Sequence, residues 1–173
     1  MSDATGSPSR LLDVAPQWRV TAFDQLTVRE LQGIHRARQA VFVVEQQCVF
    51  LDADDLDERA HHLAAWSTAQ CEPLAYARLI EPGAKYAEVA IGRVLTTQPL
   101  GRGRGLGRET MVRALAHAAA TWPGCAVRIA AQSRLEAFYE SLGFVVAGQR
   151  FLDDGIDHTE MLHPGGADGL RTR

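Results

Sequence analysis

A chain of 173 residues is long enough for one sizeable core and too short for two ordinary domains. With 46% apolar and 23% charged residues and a formal charge of −3, it reads as a globular domain, neither a polybasic nucleic-acid binder nor an acidic solvating chain. No apolar run approaches the roughly 20 residues of a membrane-spanning helix, no signal-peptide pattern opens the chain, and Cys48, Cys71 and Cys125 are too widely spaced for a zinc knuckle, so a cytoplasmic setting is expected.

Residues 1–16 and 164–173 are small, polar and without periodicity, and are expected to be disordered tails flanking a single domain at 17–163. Trp18, Val20 and Ala22 share one face of a short strand. Thr27 and Glu30 then form a T-x-x-E capping box, with Leu26 and Leu31 at the staple positions, opening a helix that continues through Ile34, Val41, Phe42 and Val44. A loop with five acids (Asp52, Asp54, Asp55, Asp57, Glu58) follows and is expected to be solvated. Strand-like stretches occupy about 62–68, 73–81 and 87–97, punctuated by Pro73 and Pro82-Gly83. A glycine-rich turn at 101–107 leads into a second long helix, whose buried stripe is Met111, Leu115, Ala118 and Trp122 and whose Glu109 and Arg113 pair on the outside. Beyond Pro123-Gly124 come a strand at 126–131, a helix opened by a second capping box at Ser133 and Glu136 and closed at Gly143, and two strands joined by Asp154-Gly155. The order β, α, β-β-β, α, β, α, β-β does not alternate strand and helix throughout, which excludes a doubly wound parallel sheet and predicts a mixed α/β (α+β) sheet with helices on its faces.

The strongest chemical signal is Arg102-Gly103-Arg104-Gly105-Leu106-Gly107 at a strand-to-helix junction. Alternate glycines let backbone N–H groups crowd round an anion, and the helix adds its positive end. The spacing excludes a Walker loop, since no Lys-Ser or Lys-Thr follows, and a dinucleotide fingerprint, since the third glycine slot falls on Leu106 or Arg108. Taken alone, the turn is either a phosphate loop or a flexible bend with a solvated arginine cluster.

R-G-x-G-[IL]-G opening a helix after an extended strand resembles the pyrophosphate loop of the GCN5-related N-acetyltransferases, the GNAT family. Ile91-Gly92-Arg93-Val94-Leu95-Thr96 resembles that family's pantetheine-pairing strand, and Ala137 to Phe144 its A-x-x-F-Y-x-x-x-G-F helix ending. Val41 to Gln46, Ala75 to Arg78, and Asp154-Gly155-Ile156 with His158 are similar to the ElaA-like subgroup. The resemblance covers about residues 18–163 and implies a mostly antiparallel sheet with helices on both faces and a splayed cofactor cleft. It further implies an acetyl-CoA-dependent N-acetyltransferase acting directly on a primary amine, without metal, nucleic acid or membrane, and with a homodimer left open. The acceptor is a small molecule or a peptide amine. The rival reading is a non-catalytic acyl-CoA-binding or sensor domain of the same fold.

By that resemblance the cofactor contacts are Arg102, Gly103, Arg104, Gly105, Leu106 and Gly107, together with Val94, Leu95, Thr96, Gln132 and Tyr139. The segment from Arg93 to Arg102 is one residue longer than usual, which leaves open which of Val94, Leu95 and Thr96 faces the cofactor, and Gln132 stands where many members carry Asn. Read from the residues alone, Tyr139 is a core aromatic beside Leu135, Phe138 and Leu142; the resemblance makes it the acid that protonates the departing thiolate. For the base, Glu88 resembles the strand glutamate of histone-type members, and equally suits an exposed strand start. His62 and His158 are alternatives that titrate near neutrality. Glu45, at the end of an apolar helix face, either lines the amine pocket with His158 or caps the following loop. Asp52-x-Asp54 lacks the Gly and distal Glu of a calcium loop, while the acidic stretch as a whole is placed to attract a cationic amine.

Overall fold

The computed structural model describes residues 15–67 and 72–165. The expected tails at 1–16 and 164–173, apart from 15–16 and 164–165, lie outside the described residues, as does Cys71.

β1 (Gln17–Ala22) enters α1 (Val28–Arg38) through the expected capping box: the Thr27 hydroxyl accepts from the Glu30 N–H, and the Glu30 carboxylate accepts from the Thr27 N–H. The helix does not run on as ordinary α. From Gln39 to Glu45 it widens into a π turn, in which the Gln46 N–H reaches back five residues to the Val41 carbonyl. β2 (Ala60–Trp66), β3 (Pro73–Ile80) and β4 (Val89–Thr96) form an antiparallel meander. α2 (Leu106–Thr121), β5 (Val127–Gln132), a short α3 (Glu136–Glu140), β6 (Val145–Asp153) and β7 (Ile156–His163) complete the domain. The expected turn at Asp154-Gly155 is present with both residues left-handed, at φ 47° and 80°, as a type I′ turn requires.

The seven strands are ordered β1-β2-β3-β4-β5-β7-β6, and only β4 and β5 are parallel. Strand alternation sends neighbouring side chains to opposite faces and so builds a core on each side of the sheet. Leu63, Ala77, Leu79 and Ile91 pack with Met111, Ala114, Leu115 and Ala118 of α2. On the other face Ala64, Trp66, Tyr76 and Leu95 pack with Ile34, Ala37 and Val41. Of the expected α2 stripe, Met111, Leu115 and Ala118 are buried, while Trp122 caps the helix end half-buried.

One local expectation fails. Ser133 and Glu136 do not form a capping box, and Ser133–Leu135 is a single 3-10 turn. The Ser133 hydroxyl bonds Thr159 of β7 at 2.9 Å, and Glu136 takes Thr159 and Arg150, so tertiary partners outcompete the local cap. The helix does stop at Gly143 (φ 90°), and Phe144 packs edge-on against Tyr139 just beyond it.

Candidate active site

The parallel pair β4 and β5 is joined only at Val89↔Val127 and Ala90↔Arg128. Past those residues the strands part and leave a cleft of about 420 Å³. A bulge in β4 helps to open it. Between the pairs Tyr76↔Leu95 and Arg78↔Gly92, β4 advances three residues while β3 advances two, with Arg93 in the left-handed region at φ 54°. Strand parity flips there: Ile91 and Val94 share the α2 face, whereas Leu95 turns into the α1 core, 4% exposed. Of the three cofactor-facing candidates on this strand, Val94 lines the cleft, Leu95 is core, and Thr96 lies against the glycine turn, 3.9 Å from a Cβ built on Gly107. Along the parted edge the β4 backbone N–H and C=O groups are left to pair with an added strand-like ligand.

The glycine turn that follows is anchored from below. A Cβ on Gly101 would lie 2.2 Å from the Leu74 carbonyl oxygen, so only glycine fits that approach. Gly103 and Gly105 are left-handed, at φ 75° and 74°, with open space beside them. The first helical bond into the cap runs from the Glu109 N–H to the Gly105 carbonyl, so the N–H groups of Leu106, Gly107 and Arg108 are free to point at an anion. The Leu106 side chain itself is buried against Ala65, Leu74 and Ala75, and its part in any anion site is through its backbone. Around the turn, Arg102 pairs with Glu45 at 2.6 Å, Arg104 donates to the Leu100 carbonyl, and Arg108 donates to the Ser141 hydroxyl.

Tyr139 also lines the cleft, 7% exposed, in edge-on contact with Phe138 and Phe144. Burial pushes its hydroxyl up to about 12, so it carries its proton throughout the neutral range. Gln132 lies at the cleft edge, donating to Gln46 and accepting from Arg134, each at 3.0 Å.

The sequence-derived bases separate. Glu88 does not line the cleft: Arg128 grips its two oxygens at 2.8 and 3.0 Å, and those bonds hold its carboxyl below the usual range. His62 does not reach the cleft either. It is 1% exposed in β2, donates Nε2–H to the Asp57 carbonyl and receives the Tyr76 hydroxyl on Nδ1, and its burial lowers its pKa. His158 does line the cleft, stacked on Phe151. Its Nδ1 lies 2.9 Å from the Ile156 carbonyl, which can only accept, so Nδ1 holds the proton and the neutral ring carries its lone pair on Nε2. Glu45 lies beside the cleft rather than in it, its carboxylate turned to Arg102.

The acidic loop is only partly solvated: Asp55 and Glu58 are exposed, while Asp52, Asp54 and Asp57 turn inward and are paired. Asp52 and Asp57 are 6% and 4% exposed. Arg38, itself fully buried, donates to both at 2.7 Å; Arg78 bonds Asp54 at 2.5 and 2.9 Å and Asp57 at 2.6 Å; Arg93 bonds Asp52 at 2.7 Å. Three guanidiniums meet three carboxylates, and the group is close to neutral. Burial works to raise the Asp57 carboxyl, but Arg38 and Arg78 more than offset it and leave it below the ordinary range. Arg93, left-handed at the bulge, ties this network to the cleft wall.

Sequence reasoning did not single out Lys85, Tyr86, Cys48 or Asp153, all of which line the cleft. They sit on loops and strand ends, where no periodicity marks a side chain as facing a cavity. Among the described residues no three His, Cys, Asp or Glu side chains converge as metal ligands, and no helix is long and apolar enough to cross a membrane.

The family model of the acetyltransferase (GNAT) domain matches residues 50–163. Protein ElaA of Escherichia coli is 35% identical over 147 residues, 84% of this chain and 94% of that one. A Mycobacterium bovis relative is 40% identical over 149 residues, covering 85% and 92% of the two chains. The crystal structure of E. coli ElaA superposes with a TM-score of 0.79 over 86% of this chain and 99% of that one. That of an acyl-CoA N-acyltransferase from Pseudomonas aeruginosa, 38% identical, gives 0.78 over 85% and 99%.

Proposed function

The chain belongs to the GNAT acyltransferase family, in its ElaA-like group, and on that premise we propose that it uses acetyl-CoA and passes the acetyl group directly to a primary amine. The observation that carries this reading is the parting of β4 from β5 beside a turn of left-handed glycines that opens α2. The free N–H groups of Leu106, Gly107 and Arg108, with the positive end of α2, suit the diphosphate of the donor. The bulged edge of β4 suits the pantetheine arm, whose amides pair as an extra strand would. Tyr139, Ile91 and Ile129, each under 10% exposed, give the cleft an apolar wall against which a short acyl group can pack.

The chemistry needs a neutral amine and a protonated leaving group. The amine gives up its proton to His158 Nε2, the amine nitrogen bonds to the acyl carbon, and the carbon–sulfur bond breaks. Tyr139 supplies the proton that the thiolate takes, and its oxygen recovers the second proton that the nitrogen sheds as the amide forms. No covalent enzyme intermediate is required, since holding both reactants in one cleft provides much of the rate.

Tyr139→Phe tests the assignment. With acetyl-CoA and an accepted amine, kcat should fall about 100-fold, the scale of one general acid. The Kd for acetyl-CoA, read by calorimetry, should stay within about twofold, because the ring and its packing are retained. Unchanged kcat would remove the role given to Tyr139, and absence of acetyl-CoA binding by the unaltered protein would overturn the function itself.

A further inference from the structure

The charges inside the cleft identify the class of acceptor, an inference that rests on the proposed transfer to an amine. On the face of the sheet that carries α1, the cleft is floored by small residues, Ala90, Gly92 and Ala130, and no atom lies within 4 Å of a Cβ built on Gly92. Around that floor most charges cancel. Arg78 and Arg93 are taken by Asp52, Asp54 and Asp57, at distances of 2.5 to 2.9 Å. What remains unbalanced lies on two walls, with Arg134 at the cleft edge donating, among the described residues, only to the Gln132 amide oxygen. From the loop between β3 and β4 comes Lys85, its ammonium 5.2 Å from the Tyr86 ring and without a carboxylate in ion-pair distance among the described residues. From the β6–β7 turn come Asp153 and Asp154, which have no cation in ion-pair distance among the described residues, with His158 on the same hairpin. Burial and the nearby Arg93 and Arg78 lower the Lys85 pKa, while Asp54 and Asp153 act to keep its ammonium charged.

A chamber that presents unpaired cations and unpaired carboxylates together suits a dipolar ligand over a purely cationic or purely anionic one. A simple diamine would meet Lys85 as a like charge, and a dicarboxylate would meet the aspartates so. We propose that the acceptor is a zwitterionic amine of the amino-acid class, its carboxylate held by Lys85 and its ammonium drawn to the Asp153–Asp154 turn. Beside that turn, His158 takes the ammonium proton, and its loss makes the nitrogen nucleophilic. Lys85 is thus a specificity-determining residue, and the small floor admits the body of the substrate.

Thiol release from saturating acetyl-CoA is measured with α- and ω-amino acids, the primary amide of each, and diamines of matching length. A charge-assisted contact in a half-enclosed site is worth about tenfold, so the free carboxylates should exceed their amides by about that factor in kcat/KM. Lys85→Gln should raise KM for the carboxylates about tenfold more than for the amides, and Lys85→Glu should shift preference toward diamines. The inference is overturned by three outcomes: diamines or amides preferred by the unaltered protein, Lys85→Gln acting equally on both series, or no amino acid acetylated while acetyl-CoA binds. Failure of the underlying function looks different, with neither acetyl-CoA binding nor thiol release with any amine.

Discussion

Six arginines of this chain fall into two groups whose jobs are opposite. Arg38, Arg78 and Arg93 run into the acidic stretch at 52–57 and form a closed network, with Arg38 and Arg78 at most 2% exposed. Arg102, Arg104 and Arg108 surround the glycine turn and hold a half-exposed glutamate, a carbonyl and a hydroxyl. The first group spends its charge inside the fold, fixing the loop that walls the cleft. The second keeps partners that an incoming anion can displace. A formal charge of −3 averages over both and describes neither. Solvent access decides which role a guanidinium takes, because a buried charge must keep its partner and an exposed one need not.

Breaking the closed network should give the largest effect. Arg78→Met leaves Asp54 and Asp57 short of a partner, and removing one member of a buried pair costs about 3–5 kcal/mol. Urea denaturation should show that loss as a lower midpoint with little change in slope. Acid attacks the same place. The Asp54 and Asp57 pKa values are held down in the fold, so the stability they give is present above the usual carboxylate range and is lost as pH falls through their depressed values. His62, whose pKa is lowered mainly by burial, acts earlier: below its ordinary 6.5 the unfolded chain takes up a proton that the folded chain refuses. Stability should therefore fall in two stages on acidification, with Arg78→Met shrinking chiefly the lower stage, since burial is the main cause of the His62 shift and Arg78 a smaller one. A loss under about 1 kcal/mol would mean the network is solvated after all.

The open side should respond more mildly in stability and more sharply in binding. At Gly105 (φ 74°) nothing obstructs a Cβ, so Gly105→Ala meets only the left-handed backbone penalty of about 1–2 kcal/mol. The strained turn no longer aims its N–H groups together, and the Kd for acetyl-CoA should rise about tenfold, read by calorimetry. Equal affinity with reduced stability would separate the turn from the diphosphate and leave the comparison between the two arginine groups without its functional half.

What was legible in the sequence follows the same division between local and distant partners. The Thr27–Glu30 box, the Asp154-Gly155 turn, the Gly143 stop and the glycine turn are each encoded within a few residues, and each is present. What escaped depends on residues far along the chain. Asp57 meets Arg38 and Arg78 across 19 and 21 positions, and Glu88 meets Arg128 across 40, so neither burial nor pairing left a local trace. The second capping box failed because Thr159 and Arg150 claimed its two members. The bulge at Arg93 was hidden for another reason. A left-handed arginine has no sequence signature, and its conformation is over-determined by Asp52 on one side and the Phe50 ring on the other. That one residue decided which of Val94, Leu95 and Thr96 faces the cleft.

The smallest expected effect is the most discriminating, because it concerns an ion pair that joins the glycine turn to the helix walling the cleft. Glu45 ends the π turn and meets Arg102 at 2.6 Å, with the two side chains 41% and 38% exposed. A pair so placed contributes about 0–1 kcal/mol and is screened by salt. If Arg102 turns to the diphosphate when acetyl-CoA binds, that pair must open, and its energy is subtracted from affinity. Glu45→Gln removes the competitor while keeping the shape. Acetyl-CoA should then bind about two- to fivefold tighter at low salt, with the gain fading as ionic strength rises and the denaturation midpoint unmoved. Weaker binding would reverse the reading. It would place Glu45 among the groups that hold Arg102 ready for the donor, and the guanidinium would then be fixed before binding, as in the closed network, rather than exchanged during it.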